Sequence, residues 1–227
     1  LPLLKPNEAR TEVIGKLSEQ LSKFSPRIAE EWMNRLKGEE KRLAELKSLE
    51  AVAKFDAQLA LEKVGKFVKA DTSLSSPDLK SCLSAITKEL AEQAPEVGLQ
   101  FILKLEPSTT RRSLLDRFYD TWVRDDLVAA CLHTNPLPIG SQRDLIVPYI
   151  VRSLAEEHPI KAFKWAQTMT LSKRPRILKV ALTPLVMRDR NAAENLVKQA
   201  TKLNRQETHN LVLWVRTSKD HFPVLLK

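Results

Sequence analysis

A small residue returns along this chain at nearly constant intervals, each time inside an altered copy of one short pattern. "KFSPRIAEEW" stands at 23–32, "EQAPEVGLQF" at 92–101, "VRDDLVAACL" at 123–132, "EEHPIKAFKW" at 156–165 and "VMRDRNAAEN" at 186–195. With Ala29, Ala60, Gly98, Ala129, Ala162 and Ala193 taken as anchors, the spacings are 31, 38, 31, 33 and 31 residues. A period of this size marks stacked helical hairpins, because one hairpin cannot bury its apolar face alone. The outlier has a local cause. "KADTSLSSPD", at 69–78, is a cluster of turn formers and reads as a lengthened loop.

The residues before each anchor explain the turn. Four positions upstream stand Ser25, Asp56, Ala94, Asp125, His158 and Asp189. Four of these carry a side-chain oxygen suited to capping a helix start. Pro26, Pro95 and Pro159 follow three of them. Proline suits the first helical position, where its missing N–H is not needed. A second, shorter helix therefore begins at each copy. Its apolar stripe is expected three residues after the anchor (Trp32, Lys63, Phe101, Leu132, Trp165, Leu196) and four after (Met33, Val64, Ile102, His133, Ala166, Val197). The small anchor leaves room for a neighbouring helix.

The first helix of each hairpin lies upstream. Eight residues before the anchors are Leu21, Val52, Leu90, Thr121, Leu154 and Leu185. Fifteen before are Ile14, Glu45, Leu83, Leu114, Val147 and Leu178. Seven residues apart, the two sets share one helical face. A basic residue opens each of these helices: Arg10, Arg42, Lys80, Arg111, Arg143 and Arg174. The helix dipole disfavours a cation there, so pairing with the C-terminal carbonyls of the preceding helix is the expected explanation. Pro148 is expected to be tolerated in its helix, and Pro184 to kink or shorten its own.

Composition agrees with helices. Gly is scarce, at 5 of 227 residues, which argues against tight hairpins between strands. No apolar run approaches the roughly 20 residues of a membrane span. Cys82 and Cys131 are isolated and read as reduced, largely buried thiols. The chain opens on Leu1, which reads as a processed or cut start. Localisation is left open between the cytoplasm and export after signal cleavage. The net charge of +9 is uneven. Residues 174–227 hold eleven Lys and Arg against four Asp and Glu, whereas residues 1–173 are nearly balanced.

The expected fold class is all-α, with hairpins at about 8–40, 41–77, 78–110, 111–142, 143–173 and 174–206 and a partial seventh at 207–227, read as a single repeat domain over 1–227. The seventh copy breaks off after "KDHFPVLLK", where Pro223 marks another helix start. An extension beyond Lys227, or a partner packed on that end, is the expectation. The degenerate "[D/P]-x-x-A-x-x-[W/L]" hairpin resembles the α-solenoid superfamily, the tetratricopeptide-like and HEAT-like arrays, over about residues 8–226. It departs from the tetratricopeptide consensus, since the W-x-x-L-G-x-x-Y pattern is absent and the period is nearer 31–33. The resemblance implies a right-handed α-α superhelix and a role as a scaffold.

No motif for a nucleophilic serine, a phosphate loop, a dinucleotide site or a zinc helix is present. His133, His158, His209 and His221 stand at no metal-ligand spacing. The acid pairs Asp125/Asp126 and Glu156/Glu157 lie where helix starts account for them. No catalytic, cofactor-binding or metal residue is assigned, and no cofactor or enzyme activity is expected. Trp32 and Trp165 read as core; Trp122 and Trp214 lack counterparts in the other copies and also read as core, with a binding surface as the alternative. The candidate patch for an anionic partner is Arg174, Arg176, Lys179, Arg188, Arg190, Lys198, Lys202 and Arg205. The functional expectation is a non-catalytic scaffold for a protein or peptide. The alternatives are binding of a nucleic-acid phosphate backbone through the basic repeats, or an accessory domain of a larger enzyme. Oligomeric state is left open.

Overall fold

The computed structural model describes residues 8–135, 141–171 and 174–218. Among them are thirteen α-helices and no strand. In chain order these are α1 (Glu8–Phe24), α2 (Pro26–Met33), α3 (Gly38–Ala53), α4 (Ala57–Ala70), α5 (Pro77–Gln93), α6 (Pro95–Lys104), α7 (Thr109–Asp125), α8 (Leu127–Thr134), α9 (Ser141–Glu157), α10 (Pro159–Ala166), α11 (Arg174–Arg188), α12 (Arg190–Lys198) and α13 (Arg205–Thr217). The expected turn at Pro223 lies outside the described residues.

The chain divides into two compact units, Leu1–Trp122 and Val123–Lys227. In the first, α3 packs on α1, α2, α4 and α5, while α5 also takes α4 and α6. In the second, α9 packs on α8, α10 and α11, and α11 on α10, α12 and α13. Within each of these sets an odd-numbered helix thus meets the next odd one, and α2, α4, α10 and α12 each lie against two consecutive odd ones. This is compatible with a helical repeat.

The corner between a long helix and its short successor is one residue wide in five copies. That residue serves both helices. The N–H of Ser25, Ala94, His158 and Asp189 closes the long helix on Leu21, Leu90, Leu154 and Leu185, at 2.7–2.9 Å. The side chains of Ser25, Asp56, Asp126 and Asp189 accept the N–H of Ile28, Leu59, Ala129 and Ala192. Ala94 and His158 hold the same place without a side-chain bond, each followed by a proline.

The fourth cap is Asp126, not Asp125, because α7 runs one residue further than its counterparts suggest. The carbonyls of Ser25, Asp56, Ala94, Asp126, His158 and Asp189 accept the N–H of Ala29, Ala60, Gly98, Ala130, Ala162 and Ala193. The fourth anchor is therefore Ala130, and the spacings become 31, 38, 32, 32 and 31. All six anchors are buried. A Cβ built on Gly98 would stand 2.7 Å from Cε2 of Phe118 and 2.9 Å from Cβ of Leu90. Around Gly98, then, the neighbouring side chains leave no space for a methyl group.

The stripe four residues after the anchor is the deeper one. Val64, Ile102, Ala166 and Val197 are fully buried, as is Thr134 in the corrected register. Three residues after, Trp32, Phe101, Trp165 and Leu196 are half-buried and Lys63 is exposed. Leu132, expected on the stripe, is exposed through the one-residue shift. In α3 the offsets fail for a different reason. Lys54 and Phe55 widen its corner by two residues, so Glu45 and Val52 are half-buried and the core falls on Leu43, Ala44, Leu46, Leu49, Ala51 and Ala53.

The basic residues that open the long helices find varied partners. Arg111 donates to the Leu105 carbonyl at 3.0 Å and Arg174 to that of Gln167 at 2.8 Å, which are the C-terminal caps of α6 and α10. Arg10 instead pairs with Glu40, one repeat on, and Arg143 reaches the Met169 sulfur at 3.0 Å. α11 runs through Pro184 to Arg188, with Ala181, Leu182, Leu185 and Val186 buried on either side. Packing there outweighs the lost hydrogen bond.

The long loop is built around one carboxylate. Asp71 accepts the N–H of Ser76 at 3.0 Å and of Ser75 at 3.1 Å, and the Ser73 hydroxyl at 2.9 Å. Leu74 takes a left-handed φ of 50° and is 2% exposed, so burial of its side chain offsets an unfavourable backbone.

Candidate interaction surfaces

The eight expected cations do not form one patch. Arg174 turns inward, donating to the carbonyls of Gln167 and Lys202 and standing 3.5 Å from Glu207. Arg188, about 21 Å away at the other end of α11 by helical rise, donates to the Glu156 carbonyl at 3.2 Å. Lys198 pairs with Glu194 at 2.7 Å. Arg216, not among the eight, holds the same carboxylate, and with Lys198 it lowers the Glu194 pKa to about 2. Arg190 is half-buried at the start of α12. Arg176, Lys202 and Arg205 are exposed, and Lys179 lies with its ammonium 5.7 Å from the ring centroid of Trp214.

A second surface escaped the sequence reading. In the first unit, Phe24 is 86% exposed and Phe55 76%, each immediately before a corner cap. Ile28, Leu59 and Val97 are also exposed, each three residues after its cap. The equivalent apolar positions therefore stay uncovered in consecutive copies. Gln93 replaces the phenylalanine in the third copy and clamps the preceding corner, donating to the Ala53 carbonyl and accepting the Ala57 N–H, both at 3.0 Å. The signal was visible as a repeated Lys-Phe pair at 23–24 and 54–55. Periodicity alone assigns such residues to a core.

A third surface lies wholly in the second unit, between α11 and α13. It is a groove of about 550 Å³ lined by Leu178, Lys179, Leu211, Leu213 and Trp214, with Asn204, Gln206 and Asn210 at its polar edge. Leu211 and Leu178 are buried and form its floor, and Leu213 is 52% exposed. Of the two aromatic candidates, Trp214 thus lines a groove. Trp122 is 3% exposed, with its ring 5.8 Å from Tyr119 and 5.6 Å from Phe118, so it is core. Trp32 is half-buried against the cluster of Ile14, Leu43 and Ala44.

Reactive groups are placed unfavourably. Burial pushes the Cys82 thiol up to about 12 and the Cys131 thiol up to about 11, so neither is a thiolate at neutral pH. Asp126 is used as a cap. Among the described residues no group of three or more His, Cys, Asp or Glu stands close enough to hold a metal ion. His221 lies outside them. No described helix is long and apolar enough to cross a membrane. No family model, curated protein or solved structure matches this chain.

Proposed function

We propose that this chain is a non-catalytic scaffold, a right-handed solenoid of about six helical hairpins and part of a seventh, that binds a protein or peptide along its surface. The observation that carries the reading is the exposure of Phe24 and Phe55 at equivalent corners of consecutive copies. Exposed aromatic area that recurs with the repeat is costly in water and marks interaction surfaces. The alternation of helix contacts within each unit supports the stacked arrangement. Catalysis draws no support from the thiol pKa values or from the carboxylates used as caps.

The test is a Phe24→Ser/Phe55→Ser variant compared with the unaltered chain in crosslinking capture from the source cells. The variant keeps its melting temperature, because both side chains are already in water. Specific partners captured by the unaltered chain are lost from the variant. Identical capture by both chains, or no capture by either, sinks the proposal.

A further inference from the structure

We infer that the groove between α11 and α13 receives an acidic peptide segment with an apolar anchor residue. The inference rests on the scaffold reading and adds a second surface and the chemistry of its partner. The groove supplies two complementary features. Its floor is apolar, with Leu178 and Leu211 beneath the half-exposed Leu213 and the Trp214 ring. A leucine or phenylalanine side chain seated there loses water on both sides.

Lys179 is the one cation among the lining residues. Lys179 lies against Trp214, and exposed Arg176 and Arg205 are sequence neighbours of the lining residues Pro175, Asn204 and Gln206. Glu207 is the one carboxylate among the lining residues, and it is already used. It accepts the Asn204 N–H at 3.0 Å in a capping box and faces Arg174 at 3.5 Å. The local charge offered to a ligand is therefore positive around an apolar slot. Duplex DNA would satisfy the cations and leave the apolar floor unused. A peptide that places carboxylates beside an aliphatic or aromatic side chain satisfies both.

The probe is a fluorescein-labelled peptide carrying two leucines and a phenylalanine among five glutamates. It is titrated into the full chain by fluorescence anisotropy, with amide NMR to locate the contact. Binding is expected, with the Trp214 indole N–H among the resonances that move. Leu213→Glu and a Lys179→Glu/Arg205→Glu pair each weaken binding by about tenfold or more, while Lys161→Glu leaves it unchanged. A peptide with glutamine for glutamate binds more weakly, and added salt weakens the parent peptide.

Absence of binding overturns the inference, as does binding that Leu213→Glu leaves intact. Duplex DNA that binds as tightly and is equally indifferent to Leu213→Glu shows a plain polyanion surface and overturns it too. Sedimentation in which Leu213→Glu abolishes a dimer assigns the groove to a second copy, with the same consequence. The scaffold reading fails separately, through the corner variant, so the two outcomes are distinguishable.

Discussion

Gly98 shows how little room the corners leave. Its missing Cβ would fall 2.7 Å from a Phe118 ring carbon. Gly98→Ala gains helix propensity, worth about 1 kcal/mol, yet must displace an aromatic ring packed edge-on to Tyr119 and Trp122. Overpacking of this kind costs about 1–3 kcal/mol. The expected outcome is net destabilisation that Phe118→Leu partly relieves in the double variant. Urea denaturation of the four chains of that cycle measures it, and strict additivity would place Gly98 away from Phe118. The need for a small residue was legible in the sequence as a recurring alanine. Which ring enforces it was not, since Phe118 lies 20 residues further on and no local pattern joins the two.

At the scale of the element, the caps and the long loop decide where helices begin. Asp126 caps α8 with a 2.8 Å bond from the Ala129 N–H, whereas Asp125 is exposed at the end of α7. Asp126→Ala should cost about 1 kcal/mol and Asp125→Ala about 0.5 kcal/mol or less in chemical denaturation. The reverse order would restore the register that two adjacent aspartates suggest. The loop before α5 carries a pH signature. Hydrogen bonds from the Ser76 and Ser75 amides lower the Asp71 pKa from 3.8 to about 2. A depressed carboxylate pKa stabilises the fold fully above 3.8, and that contribution fades as pH falls through about 2. The Ser75 and Ser76 amide shifts should therefore titrate with a midpoint near 2. A midpoint at 3.8 would mean that the carboxylate does not hold the loop. The turn formers of 69–78 announce a loop, but Leu74 as its buried plug depends on a core beneath it.

For the molecule as a whole, the charge that sequence places at the C-terminal quarter is divided by folding into structural and free cations. Arg176, Lys202 and Arg205 are exposed, and replacing all three by Glu takes the net charge from +9 to +3. Stability should hold within about 0.5 kcal/mol per site, and Glu near the starts of α11 and α13 suits their dipoles. Retention on a cation exchanger should fall sharply. Arg174→Glu should instead lower stability by about 1–3 kcal/mol, since the carbonyls of Gln167 and Lys202 lose a charged donor. Equal melting of the two variants would show that Arg174 is as free as the others.

The chain's letters determine, by themselves, that it is helical and where most short helices start. Those outcomes follow from neighbours a few residues apart: a capping oxygen, a proline at the first position, a small residue four places on. Tertiary structure alone decided which of two aspartates caps α8 and which arginines face inward. It also decided that two phenylalanines remain in water while Trp122 is buried. The cap follows from where α7 ends, and the others from which parts of the chain folding brings against the side chain; sequence spacing carries no record of either.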